Sequence, residues 1–87
     1  GNDDWIKFEQ RFNLAHNNYL ERLKSEYPEL TSTDLRFCAY IKLEFSNLEI
    51  SNLLNLSLRG VETARSRIRK RLKLHRKQQL IHFLQDL

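Results

Sequence analysis

The chain has one cysteine, one proline and two glycines in 87 residues, and no methionine. Cys38 alone cannot close an internal disulfide, which fits a reducing compartment. So little glycine and proline leaves almost none of the turn chemistry that β-hairpins need. No stretch alternates apolar and polar residues for long, so the expected fold class is all-α. Apolar runs are far too short for a membrane span and no signal-peptide pattern opens the chain, so a cytoplasmic domain without membrane contact is expected. A glycine-rich phosphate loop, an activated nucleophile and a carboxylate pair are also missing, so nothing supports an enzyme. His16, His75 and His82 share no metal-ligand spacing with one another or with Cys38, and neither metal nor cofactor is expected.

What is present describes one folding domain over residues 1–87. Apolar residues make up 40% and charged residues 30%, the balance of a globular chain. Net charge is +4 but unevenly spread. From Arg59 to Lys77 nine Lys and Arg face one acid, Glu62, a net of +8, whereas the other residues carry six bases and ten acids, a net of −4. A basic stripe on an otherwise acidic domain is the footprint of a polyanion-binding face, although a solvated helix face has the same composition.

Gly1 has the look of a tag-cleavage remnant, and Asn2, Asp3 and Asp4 offer N-cap chemistry for a first helix. An amphipathic helix is expected over 2–26, because Trp5, Phe8, Phe12, Tyr19 and Leu23 recur at spacings of 3, 4, 7 and 4. Pro28 turns the chain after it. Three helix starts follow. Thr31 with Asp34 and Ser46 with Glu49 make capping boxes, and Ser57 caps a third helix; Leu30 with Leu35, Phe45 with Ile50 and Leu56 with Val61 are the matching hydrophobic staples. Helices are therefore expected at about 32–44, at 47–54 and from 58 onward.

Only Asn55-Leu56-Ser57 separates the short middle helix from the basic one, which is helix-turn-helix spacing. On the basic helix Val61, Ile68 and Leu72 mark a buried stripe with Ala64 and Arg65 at its edges. Arg59, Thr63, Ser66, Arg67 and Lys70 point the other way, with Glu62, Arg69 and Lys73 on one flank. Arg65 is expected to bridge to Glu49 or Glu44, and Cys38 to be a small core residue. A bend is expected near Leu74, before a C-terminal helix in 75–87 that carries Leu80, Ile81, Phe83, Leu84 and Leu87. The aromatic seam and that last helix each need a partner, either one another or a second copy of the chain.

Residues Leu30 to Leu74 resemble the LuxR/FixJ-type (GerE-like) helix-turn-helix family of bacterial transcriptional regulators. Leu30, Thr31 and Asp34 match the family's opening, and Leu35, Cys38 and Ile41 its first apolar helix. Ser46, Asn47, Glu49, Ile50, Ser51 and Leu54 match its Ser-Asn-x-Glu-Ile-Ala-x-x-Leu core, and Ser57, Val61, Arg71 and Leu72 its basic helix. The chain departs from the family pattern at Gly60, Glu62, Ala64 and Lys73, in place of the usual threonine, base-reading lysine or arginine, histidine and glycine.

The resemblance implies a winged-helix-like DNA-binding fold, with a helix-turn-helix core of three to four helices at 30–74 between a long N-terminal helix and a short C-terminal one. It also implies the C-terminal output part of a longer response regulator, binding double-stranded DNA with helix 58–73 in the major groove. Carried over by position, Glu62, Thr63 and Ser66, with Arg59 and Arg67 nearby, are the candidates for base contact. For Glu62 an intrahelical pair with Arg65 or Ser66 is the competing role. Ser57, Arg59, Arg69, Lys70, Lys73 and Lys42 are the candidates for phosphate contact. Such regulators bind as dimers, and a homodimer through Trp5, Phe8 and Phe12 or through the C-terminal helix would serve that.

Two alternatives use the same residues. The run Arg67, Arg69, Lys70, Arg71 also suits a sigma-factor-like region 4, whose partners are a promoter and RNA polymerase. A helical protein-interaction module would use the aromatic seam and leave the basic stripe to solvent.

Overall fold

The structure, a computed structural model, describes residues 2–87; Gly1 lies outside them. The described residues form six helices and no strand: α1 Asn2–Ala15, α2 Tyr19–Glu26, α3 Ser32–Lys42, α4 Asn47–Leu54, α5 Leu58–Arg71 and α6 Leu80–Asp86. None of them is long and apolar enough to cross a membrane.

The helix starts follow the capping chemistry. Thr31 and Ser46 each accept from the backbone N–H three residues on, and Asp34 and Glu49 return the bond to the cap's own N–H at 2.9 Å. Ser57 accepts from Gly60 N at 3.0 Å. Gly60 has no side chain to answer, so this box is half closed. Because α1 already includes Asn2, its cap position lies outside the described residues, and Asp3 and Asp4 sit in its first turn, where carboxylates suit a helix N-terminus.

The helix ends do without glycine. Asn17, Glu44, Asn55 and Lys73 take left-handed conformations, with φ of 56°, 67°, 54° and 58°. After α3 and α5 the pattern is a Schellman motif: Phe45 N donates to Tyr40 O and Leu74 N to Arg69 O, at 3.0 and 3.1 Å. The expected bend near Leu74 is this reversal.

The N-terminal segment departs from the expected single helix over 2–26. It breaks at 16–18, where Asn17 and Asn18 both have positive φ, and Asn18 N closes on Asn13 O at 2.8 Å. The Asn13 side-chain oxygen then accepts from Leu20 N at 2.9 Å, giving the new helix a cap that Asn18 does not supply. Asparagine tolerates the left-handed region better than most residues.

The break folds α2 against α1 and sends both toward α3, which sits at the centre of the molecule and also meets α5 and α6. Phe37, Cys38 and Ala39 of α3 are fully buried. They lie in one core with Tyr19, Leu20 and Leu23 of α2, Ile68 of α5 and Leu84 of α6. The aromatic seam is spent inside the chain. Trp5 stacks on Phe8, Phe8 meets Tyr40 at a 5.6 Å centroid distance, Tyr40 stacks on Phe45, and the Arg36 guanidinium lies 4.9 Å from the Trp5 ring. Its partner is therefore chiefly α3. Phe83 pairs with Tyr27, and the buried Tyr19 hydroxyl donates to Leu84 O.

Candidate nucleic-acid interface

The short α4 packs on α5 across the connection Asn55-Leu56-Ser57. Val61, Ala64 and Ile68 form the buried stripe of α5, continued by Leu72 at its C-cap, each at most 3% exposed. At about 100° per residue this leaves Arg59, Glu62, Thr63, Ser66 and Lys70 on the outer side, and all five are exposed. Among the described residues Glu62 forms no pair with Arg65 or Ser66, so its carboxylate is not tied to its own helix.

Three of the remaining cations expected at this face, Arg67, Arg69 and Lys42, are engaged elsewhere. Arg67 donates from Nε to Asp34 Oδ1 at 3.1 Å, and Arg71 binds the other oxygen of the same carboxylate. Asp34 is fully buried. Burial works to raise its pKa, but the N–H of Thr31, Arg71 and Arg67 outweigh that and hold it below the usual carboxylate value. Arg67 was expected at base edges; it turns to the α3 flank because a buried carboxylate waits there.

Arg69 was expected on phosphate. Its guanidinium instead donates to the carbonyls of Gln78, His75 and Arg76, at 2.6, 3.1 and 3.3 Å. Lys42 places its ammonium 4.5 Å from the centre of the Tyr19 ring. Lys73 lines a small cleft with Glu26, Tyr27, Pro28 and Glu29, away from the outer stripe of α5.

The bridge expected from Arg65 to Glu49 or Glu44 is absent among the described residues. Glu49 is committed to the Ser46 N–H, which lowers its pKa, and Glu44 occupies the left-handed end of α3. Arg65 is half-buried, and burial together with neighbouring Arg69 lowers its pKa. Cys38 is fully buried, its thiol pushed up to about 12 by burial and then by the charge of Asp34. The described residues contain no cluster of His, Cys, Asp and Glu suited to a metal.

Two findings escaped the sequence reading. Asp34, read there as half of a capping box and as part of the family's opening, also joins α3 to α5. His75, Arg76 and Lys77 form a basic loop beside α5; their charge was visible, but their position was not.

A short helix packed on a basic one, joined by a tight turn and leaving one polar and cationic side open, defines a helix-turn-helix DNA-binding domain. The chain matches the GerE family, bacterial regulatory proteins of the luxR family, over residues 29–84. It belongs to that family, whose domains bind DNA in transcription regulation. No curated protein and no solved structure matches the chain.

Proposed function

We propose that the chain binds double-stranded DNA with α5 in the major groove, in a sequence-specific way. The observation that carries this reading is the exposed stripe Arg59, Glu62, Thr63, Ser66 and Lys70 along one side of the second helix of the pair. Its N-terminal part supplies the base readers: Glu62 accepts from a cytosine amino group, Thr63 offers its methyl to thymine, and Ser66 and Arg59 lie within the same turns. The absence of an intrahelical partner for Glu62 supports its part. Lys70 and Arg59 grip phosphates, and Ser57 stands at a helix N-terminus, where anions are favoured.

The family match favours this reading over a sigma-factor-like region 4. An interaction module built on the seam would need rings that already pack on α3. For the same reason two copies on adjacent half-sites would meet through the outer side of α6 rather than through Trp5, Phe8 and Phe12.

The test is selection of a duplex from a random pool, followed by affinity at two salt concentrations for wild type, Glu62→Ala and Lys70→Ala. With about 4 to 6 phosphate contacts, log affinity falls with log salt at roughly −0.9 per contact. Lys70→Ala weakens all sequences alike, and Glu62→Ala relaxes the choice at one base pair. A flat salt response, or no preferred sequence, refutes the reading.

A further inference from the structure

The segment from Lys73 to Gln79 holds neither glycine nor proline, yet it is closed by its own bonds. Gln78 N donates to His75 O at 2.9 Å, His75 N to Gln78 Oε1 at 2.8 Å and Lys77 N to His75 Nδ1 at 3.2 Å. Arg69 of α5 adds three bonds to carbonyls of the same loop. A guanidinium has five donors in a planar fork and can satisfy three carbonyls at once, which a lysine ammonium on a flexible stem does less well.

This clamp fixes where the loop's cations stand. Arg76 lines a cleft of about 330 Å³ with Ser66, Arg69, Lys70 and Leu74, adjoining the outer side of α5. Lys77 lines a different cleft, which Asp86 also lines. No acid lines the Arg76 cleft, and among the described residues Arg76 forms no ion pair. Two open cations and a hydroxyl therefore share one shallow recess. Uncompensated like charges repel, and a phosphate oxygen cluster relieves the repulsion while accepting from all three.

We propose that the 73–79 loop is a second DNA-backbone element, in which Arg76 is the phosphate ligand and Arg69 is a positioning residue that does not itself touch DNA. The proposal rests on α5 lying against DNA, as argued above, and extends the contact past the end of that helix.

The test is the salt dependence of affinity of the full chain for its selected duplex. Arg76→Ala should reduce the slope by about 0.9, narrowing the affinity drop between 50 and 200 mM salt by about threefold, with base preference unchanged. Arg69→Lys keeps the charge but loses the fork, so it should reduce the slope as Arg76→Ala does, and the double variant should lose no more than either alone. An unchanged slope in Arg76→Ala overturns the loop's role. An unchanged slope in Arg69→Lys, or losses that add in the double variant, overturns the positioning role and returns Arg69 to direct phosphate contact. Wild type that binds DNA without salt dependence would instead refute the α5 reading itself.

Discussion

Asp34 on α3 accepts from Arg67 Nε on α5 at 3.1 Å, joining residues 33 positions apart in the chain. The same carboxylate binds Arg71 one turn further along α5 and closes the capping box with Thr31 N. One buried acid thus caps the central helix and ties the basic helix to it. The basic charge of α5 is divided accordingly: Arg67 and Arg71 brace the fold, and Arg59 and Lys70 remain outside.

Asp34→Asn should destabilise the domain by about 2–3 kcal/mol. Removing one partner of a buried pair usually costs about 3–5 kcal/mol, and the two guanidinium groups here keep 39% and 31% exposure, which softens the loss. The pKa of Asp34 is lowered in the folded state, so its contribution is complete above the ordinary carboxylate value and disappears as pH falls below it, through the lowered one. Thermal midpoints at pH 7 and pH 3 check this. The gap between wild type and variant should shrink in acid, and a constant gap would assign the cost to packing.

Tyr19→Phe isolates one buried hydrogen bond. Leu84 O belongs to the last turn of α6, where carbonyls lack helical partners, and the Tyr19 hydroxyl satisfies it. The ring and its contact with the Lys42 ammonium survive the change, so the cost is that of an unpaired acceptor, about 1–2 kcal/mol. Burial, with a further push from Cys38 only partly offset by Arg22, raises the pKa of the hydroxyl above the normal tyrosine range. Its contribution is therefore complete below pH 10 and fades above it. Urea unfolding at pH 7 and pH 10.5 should show the wild-type advantage narrowing at the higher pH.

The helix starts at Thr31, Ser46 and Ser57 are legible because a cap needs only residues three apart, and the outer face of α5 because helical periodicity alone assigns it. The break at Asn17 and Asn18 is hidden because the apolar spacing continues through it from Phe12 to Tyr19. Its one local signal is a pair of asparagines, which suit a helix surface as well as a left-handed turn. Arg67, Arg69 and Lys42 could not be sorted from Lys70 by sequence. Each has a long side chain whose acceptor, Asp34, the 75–78 carbonyls or the Tyr19 ring, is brought near only by the fold.

Cys38 should be inert in the folded protein. It has no exposed surface, and its thiol is pushed up to about 12. Reaction requires the thiolate, so a disulfide reagent at pH 7.5 should modify it about a thousandfold more slowly than an unstructured cysteine. Full reactivity should return in urea. Fast labelling of the native chain would mean that α3 opens far more readily than its central place in the core implies.

Lys73→Gly should stabilise the domain. Lys73 follows α5 with φ of 58°, where a side chain costs about 1–2 kcal/mol and glycine costs little. The surrounding bonds, Lys73 N to Lys70 O and Leu74 N to Arg69 O, depend on the backbone and not on the side chain. The greater freedom of glycine in the unfolded chain offsets part of the gain and leaves roughly 0.5–1 kcal/mol, a rise in thermal midpoint of about 2–8 °C for a domain of this size. Because Lys73 stands beside Glu26 and Glu29, the salt dependence of DNA affinity should not change. A fall of about 0.9 in the slope would instead make Lys73 a phosphate ligand.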